Sequence, residues 1–381
     1  MTQDFPEPPA DHPSLSAAEL KHRIDGGESV RLLDVRDRDE FEAWQIDGPD
    51  VTATQLPFSK VLQAKVTGDV DGLLAEVDGD GPIIAVCARG EASGFVAGLL
   101  ADNGVDARNL ADGMEGWARL YETHELPCEA ATVLQYDRPS SGCLAYLVVS
   151  DDEAAVVDPL RAFTDRYRAD AAAHEATVRY ALDTHIHADH VSGRERLANQ
   201  HGVESVLHAR AAERGVTDDP TLLADGDSLT VGSATLDAIA LPGHTTGMTG
   251  LRVGDVLLAG DSVFLDSVAR PDLEAGDDGA PDLARELYET LTGRLAALPD
   301  STLVAPGHYA DASERADDGT VTARLGDLRD RLPSLELDRE AFVERICADI
   351  PPRPANFERI VAINRGEAGA DDETAFELEL G

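Results

Sequence analysis

A chain of 381 residues exceeds one average domain and suggests two, each burying a core of its own. Its formal charge of -41, from 73 acidic against 32 basic residues, excludes the basic stripe that nucleic acid requires and argues against anionic membrane surfaces. No stretch approaches the roughly 18 apolar residues of a membrane span, and the carboxylates are interspersed with ordinary apolar content, which excludes wholesale disorder.

Residues 1–13, rich in Pro, Asp and Glu, read as a loose leader with neither the basic start nor the apolar segment of a targeting signal. Ser16-Ala17-Ala18-Glu19 makes a capping box for a helix that Gly26-Gly27 ends. A strand at Val30-Arg31-Leu32-Leu33-Asp34, a short helix through Glu40–Trp44, a continuous apolar strand at Ile83-Ile84-Ala85-Val86 and a helix from about Ser93 to Asn103 then alternate. That is the pattern of a parallel sheet with helices on its faces.

The strand runs straight into Cys87-Ala88-Arg89-Gly90-Glu91-Ala92-Ser93. A loop closing on a helix start turns backbone N–H groups inward, and with the helix dipole they stabilise a thiolate or persulfide at its first residue. A cysteine there is either a nucleophile or a small buried hydrophobe. Leu33-Asp34-Val35-Arg36 upstream and Gly113-Met114-Glu115-Gly116-Trp117 downstream favour the nucleophile, because with them the stretch from about 14 to 126 resembles a rhodanese domain. The resemblance implies a sulfane sulfur carried on Cys87. Many members place Arg where Ala92 stands, and His-Ile where Gln45-Ile46 stands; Arg89, two residues after the Cys, is the cation available in this loop.

Past Leu126-Pro127-Cys128 the pattern turns antiparallel, with Cys143–Val149 and Ala154–Val157 paired around Asp151-Asp152. A helix over Thr164–His174 leads through Arg179-Tyr180-Ala181-Leu182 into Thr184-His185-Ile186-His187-Ala188-Asp189-His190, which places four potential ligands at a strand end. Hairpins over residues 228–237 and 250–258 follow. The ligand chemistry recurs in Pro242-Gly243-His244-Thr245, Gly260-Asp261-Ser262 and Pro306-Gly307-His308, each after an apolar run, so the histidines are not a chance cluster.

HxHxDH with a distant GH, a GD and a final GH resembles the metallo-β-lactamase superfamily, which implies an αββα sandwich. The resemblance assigns His185, His187 and His244 to one metal position, with Asp261 facing both that position and a second completed by Asp189, His190 and His308. Imidazole and carboxylate suit both zinc and iron. The stretches Thr184–Gly193, Gly260–Phe264 with Ala269–Leu273, and the tail Pro351–Ile360 look like the persulfide dioxygenase branch, related to glyoxalase II, and its fusions to rhodanese domains. In that branch one Fe(II) is held by a facial triad, here His185, His244 and Asp261, with His187, Asp189 and His190 orienting ligands and water around it. Arg270 either grips a substrate carboxylate or binds Asp272, and Tyr309 follows His308 immediately where those dioxygenases have a Tyr two residues on.

The expected order is therefore a leader (1–13), an α/β rhodanese-like domain (14–128), a metallo-β-lactamase sandwich (129–330) and an extension (331–381) with a Pro-rich tail. Residues 272–281 are expected as a loop, and those from Glu367 as disordered. Two functions are carried forward. One is an Fe(II) persulfide dioxygenase, one iron per chain, that takes a low-molecular-weight thiol persulfide and oxygen to sulfite and is coupled to sulfur transfer on Cys87. The other is a two-zinc thioesterase of the hydroxyacylglutathione hydrolase type with a regulatory rhodanese module. Cys87, Cys128, Cys143 and Cys347 lack short-spaced pairing and are expected as free thiols in a cytoplasmic protein. The spread of carboxylates, with Lys only at 21, 60 and 65, fits a halophile's cytoplasm, in an archaeon by the resemblance, and a homo-oligomer is compatible with the sequence.

Overall fold

A computed structural model describes residues 13–48, 50–77, 79–310, 314–348 and 350–380, so most of the leader lies outside the described residues. The chain divides into two compact units: residues 1–121 with 138–141, and 122–137 with 142–381.

In the first unit the strands β1 (Ser14–Leu15), β2 (Val30–Asp34), β3 (Val51–Gln55), β4 (Ile83–Val86) and β5 (Ala107–Leu110) form one sheet in the order β1-β5-β4-β2-β3. The pairings between these strands are all parallel. Because side chains alternate along a strand, the continuous apolar run of β4 feeds both faces. Ile83, Ala85 and Cys87 join Phe95, Val96 and Leu100 on one side, while Ile84 and Val86 join Leu20, Met114 and Trp117 on the other. Helix Ala17–Asp25 starts as expected, Ser16 Oγ accepting from Glu19 N at 3.2 Å.

The second unit contains two sheets. The first comprises β6 (Glu122–Leu126), β7 (Thr132–Arg138), β8 (Cys143–Ser150), β9 (Glu153–Val157), β10 (Thr177–Asp183), β11 (Glu204–His208) and β12 (Thr221–Leu223), side by side in sequence order. The other runs β13 (Ser228–Val231), β14 (Ala234–Ala240), β15 (Thr249–Val253), β16 (Val256–Gly260), β17 (Leu303–Pro306) and β18 (Ala323–Arg324). Alternate residues of both, such as Leu144, Tyr146 and Val148 with Leu236, Ala238, Leu251 and Val253, fill one shared core. From β9 to β12 the first sheet is parallel, which the hairpin pattern did not announce.

Three sequence expectations are corrected. Residues 122–126, assigned to the first domain, pair as β6 with β7 in the second unit's sheet. The Gly/Asp-rich segment 272–281 is only partly loop, because helix Gly276–Glu289 begins inside it: Asp277 and Asp278 suit the positive helix start, and Ala280, Leu283, Ala284 and Leu287 are buried. Beyond Glu367 the described residues up to 380 are ordered as well. Asp371 caps helix Asp372–Leu378, its side chain accepting from Thr374 N at 2.7 Å, and Ala375, Phe376 and Leu378 are buried. The extension belongs to the second unit, where Phe342 and Val343 enter the main core.

Candidate functional site: a cysteine loop and a histidine–aspartate cluster

In the first unit Cys87 closes β4, and helix Glu91–Asp102 starts at Gly90, whose φ of 89° lies in the left-handed region. The turn points donors at the sulfur: Gly90 N at 3.1 Å, Ser93 N at 3.4 Å and Ser93 Oγ at 3.1 Å. Asn109 Oδ1 stands 2.7 Å from the same hydroxyl, whose single proton goes either to it or to the sulfur. The downstream motif has a structural role here. A Cβ on Gly113, at φ 54°, would lie 2.1 Å from Cys87 O, and its absence lets Met114 N and Glu115 N donate to the carbonyls of Cys87 and Ala88 at 2.9 and 3.0 Å. Arg89, the expected cation of this loop, has its Nε 2.5 Å from Glu115 Oε1. The upstream Asp34 and Arg36 form a buried two-contact pair at 2.7 and 3.1 Å.

In the second unit β10, β14, β16 and β17 each end just before a ligand residue, so rigid sheet positions His185, His244, Asp261 and His308. His244 Nδ1 is 2.9 Å from Arg270 O, an atom that only accepts, so the proton sits on Nδ1 and the Nε2 lone pair is free. The same logic holds for His185. The Thr184 hydroxyl donates to Asp158 Oδ2 at 2.9 Å and therefore accepts from His185 Nδ1 at 3.0 Å. Both free Nε2 atoms face Asp261 Oδ2, each at 3.8 Å. Burial lowers the basicity of both imidazoles, most strongly for His185, which keeps them neutral. Burial alone would raise the Asp261 carboxyl, but the adjacent His308 holds it below the usual range. Two neutral Nε2 donors and one carboxylate oxygen, with all their ligand atoms within 4.8 Å, suit a divalent transition metal.

Two glycines make this approach feasible. A Cβ on Gly260 would lie 2.1 Å from Met248 Cε and one on Gly307 2.4 Å from Asp261 Oδ1, so the GD and GH motifs are steric as well as chemical.

For His187 the two nitrogens exchange roles. Its Nε2 lies 3.0 Å from Asp158 Oδ1, which also accepts from Thr184 N at 2.6 Å, so the proton sits on Nε2, and its buried Nδ1, with no hydrogen-bond partner among the described residues, keeps the free lone pair. Asp158, at φ 52° just after β9, thus orients the ligand loop. Its Asp-Pro dipeptide after an apolar strand was the only sequence signal for that role.

Asp189, His190 and His308 do form a second cluster, with Cys143 added to it. Asp189 Oδ2 is 2.7 Å from His308 Nε2, 3.0 Å from His190 Nδ1 and 3.2 Å from Cys143 Sγ. His308 Nδ1 reaches Asp261 Oδ1 at 2.8 Å. Although burial disfavours its charge, His308 held between the carboxylates of Asp261 and Asp189 has its basicity raised well above the ordinary imidazole value. Cys143 was legible only as a free thiol.

A cavity of about 900 Å³ opens over Asp189, His244, Asp261 and His308, walled by Phe264, Leu273, Ile346 and Ile350 among others. Arg270 lines it but is occupied: it contacts Asp272 at 2.8 and 3.0 Å and donates to the carbonyls of Pro352 and Pro351 at 2.8 and 2.7 Å. Asp272 also accepts from Arg353 at 3.1 Å, which straps the tail beside the cavity. Of the two roles open to Arg270, the structure shows the pairing with Asp272. Tyr309 is turned elsewhere, its hydroxyl donating to Asp137 Oδ1 at 2.8 Å. The cation left at the wall is Arg345, which has no hydrogen-bond or ion-pair partner among the described residues and was not singled out in the sequence.

Comparison with known proteins agrees with both halves. A rhodanese-like domain model matches residues 16–120 and a metallo-β-lactamase superfamily model residues 139–308. The chain thus joins a rhodanese-like domain to a domain with the metallo-β-lactamase fold. Among its relatives is the mitochondrial persulfide dioxygenase ETHE1 of Homo sapiens, 27% identical over 238 residues that cover 60% of this chain and 86% of that protein. A hydroxyacylglutathione hydrolase of Brucella anthropi is 32% identical over 182 residues, 45% of this chain and 66% of the relative. The crystal structure of ETHE1 from Myxococcus xanthus superposes with a TM-score of 0.53 at 26% identity, covering 64% of this chain and 98% of that one.

Proposed function

We propose that the second domain is an Fe(II)-dependent persulfide dioxygenase and that the first handles sulfane sulfur on Cys87. The carrying observation is the division of labour at Asp261: Oδ2 faces the free Nε2 atoms of His185 and His244, while Oδ1 is engaged by His308. A facial set of two imidazoles and one carboxylate leaves positions open for two further ligands. Ferrous iron held there would supply the site at which dioxygen and the persulfide sulfur meet. The overall change is RSSH + O2 + H2O → RSH + SO3²⁻ + 2H⁺, in which the terminal sulfur is oxidised and O2 reduced.

The residues of the chain have separable tasks in this reading. The apolar wall of Phe264, Val268, Leu273, Ile346 and Ile350 excludes bulk water from the reacting sulfur. Arg345 offers its guanidinium to a carboxylate on the carrier thiol. The proton between His308 Nε2 and Asp189 Oδ2, both at the cavity, is available to the departing thiolate RS⁻. In the first domain Cys87 thiolate attacks the sulfane sulfur of a donor such as thiosulfate, giving Cys87–S–S⁻ and sulfite, with Gly90 and Ser93 donating to the sulfur. Absence of a membrane-length apolar helix among the described residues, together with the acidic surface, fits action in a salt-rich cytoplasm.

One observation favours the two-zinc thioesterase instead: Cys143, Asp189, His190 and His308 offer ligand atoms all within 4.8 Å. Metal analysis of full-length protein purified without added metal separates the two. Near one iron per chain supports the dioxygenase and near two zincs the thioesterase.

A further inference from the structure

The loop that follows β10 begins close to His185 but carries His187, Asp189 and His190 progressively farther from the strand's support. At its start, Asp158 grips Thr184 through N and Oγ1. At its far end the grip comes from a residue some 170 positions later. Asn364, the last residue of helix Phe357–Asn364, donates from Nδ2 to His187 O at 3.0 Å and to His190 O at 2.9 Å, and its Oδ1 accepts from Ser192 N at 2.8 Å.

The orientation of this amide is dictated, because two carbonyls can only accept and one N–H can only donate. Asn364 is 6% exposed, so water does not substitute for these bonds. Apolar contacts press the same helix onto the loop: Ile360 and Ile363 pack with Val191, and Val361 lies against the cluster of Ile186, Leu207 and Ala211. Glu379, after the last helix, adds a bond to Val191 N at 2.9 Å.

We infer that Asn364 is a positioning residue for the metal centre, and that the C-terminal helices are a brace fixing the backbone of the ligand loop. The inference rests on the reading that His185, His244 and Asp261 bind a metal. Every backbone group that Asn364 engages lies between two and seven residues after His185, and His187 O and His190 O flank Asp189. Releasing them lets the loop leave the geometry in which both Nε2 atoms face Asp261. Supporting groups of this kind typically change metal affinity by about 10- to 100-fold.

The test uses the full chain. Fe(II) affinity is measured anaerobically against a competing chelator, with thermal unfolding of the metal-free protein alongside. Asn364→Ala should bind iron about tenfold or more weakly. Asn364→Asp is the discriminating variant: it keeps the shape and the acceptor for Ser192 N but turns a carboxylate oxygen on two carbonyls, so its affinity should fall below that of Asn364→Ala. Glu379→Ala, remote from the helix core, should weaken binding several-fold and serves if the Asn364 variants do not fold. Affinities within threefold of native for Glu379→Ala and for every Asn364 variant that folds would overturn the inference, and so would an Asp variant that binds as well as native, since that is the mark of packing alone. A native chain that binds neither iron nor zinc would instead sink the proposed function.

Discussion

His308 holds Asp261 by one oxygen only, its Nδ1 standing 2.8 Å from Oδ1, so that Oδ2 is left facing His185 and His244. This makes the two histidines of the GH motifs unequal. His244 has a free lone pair with which it could hold a metal, whereas His308 offers protons to two carboxylates. His244→Ala should lose most of its iron and all persulfide-dependent oxygen uptake, while His308→Ala should keep iron and lose turnover. Metal content and an oxygen electrode read both outcomes, and equal metal loss in the two variants would favour two metals.

The sequence made the ligands legible because short motifs with glycine partners have a steric cause: Gly260 and Gly307 admit Met248 and Asp261 where a Cβ would collide. It made β2, β4 and the Cys87 loop legible because apolar runs bounded by turns leave few alternatives. What it did not show are contacts between distant segments. Asp158, Asn364, Cys143 and Arg345 reach the site through the fold, and no local spacing marks them. The helices after residues 275 and 371 were hidden by Gly and Asp, which serve there as first-turn and capping residues.

Proton competition gives the second prediction. An ordinary imidazole titrates near 6.5, so two such ligands would together cost about a hundredfold in metal affinity on going to pH 5.5. Burial depresses both His185 and His244, and Asp261 lies below the usual carboxylate range, so all three remain deprotonated as pH falls through 6.5. Apparent Fe(II) affinity at pH 5.5 should be within about tenfold of that at pH 7. A hundredfold loss over that interval would contradict the depressed values.

Cys87→Ser should abolish thiosulfate:thiol sulfur transfer and leave oxygen uptake with a supplied small persulfide intact, because each domain has its own core. Ser93→Ala tests the loop more finely. A hydrogen bond to a charged sulfur is worth about 1.5–3 kcal/mol, so transfer should slow by roughly tenfold or more. Transfer that persists in Cys87→Ser would place the travelling sulfur on another cysteine.

The pairing of Arg270 with Asp272 bears on how a substrate is recognised. With that guanidinium bound to Asp272 and to the carbonyls of Pro351 and Pro352, Arg345 is the cation a carboxylate-bearing persulfide can meet. Arg345→Gln should raise KM for such a substrate by about fivefold to tenfold, with kcat little changed, and leave an uncharged alkyl persulfide unaffected. Arg270→Gln should behave differently, loosening the tail and lowering kcat for both. An unchanged KM in Arg345→Gln would remove Arg345 from the recognition of substrate.

The last prediction concerns salt, which acts on two opposed sets of charges. Pairs such as Arg38–Glu42 and Arg252–Asp237 hold on the surface and weaken as salt rises, but exposed pairs of this kind contribute little to stability. Against them stands the excess that gives the chain its charge of -41, which no pairing neutralises. At 0.01 M this excess repels across about 30 Å, and at 1 M across about 3 Å, so screening removes far more repulsion than attraction. Unfolding moves the carboxylates apart, so the relief is larger for the folded state, and stability should rise with KCl. Thermal unfolding of iron-loaded protein from about 0.05 to 3 M KCl, at fixed free iron so that ligand binding does not shift the midpoint, should show Tm increasing on the order of 5 °C or more. A Tm that is flat or falls across that range would show that the acidic surface is not an adaptation to salt, and would direct attention to a basic partner that neutralises it.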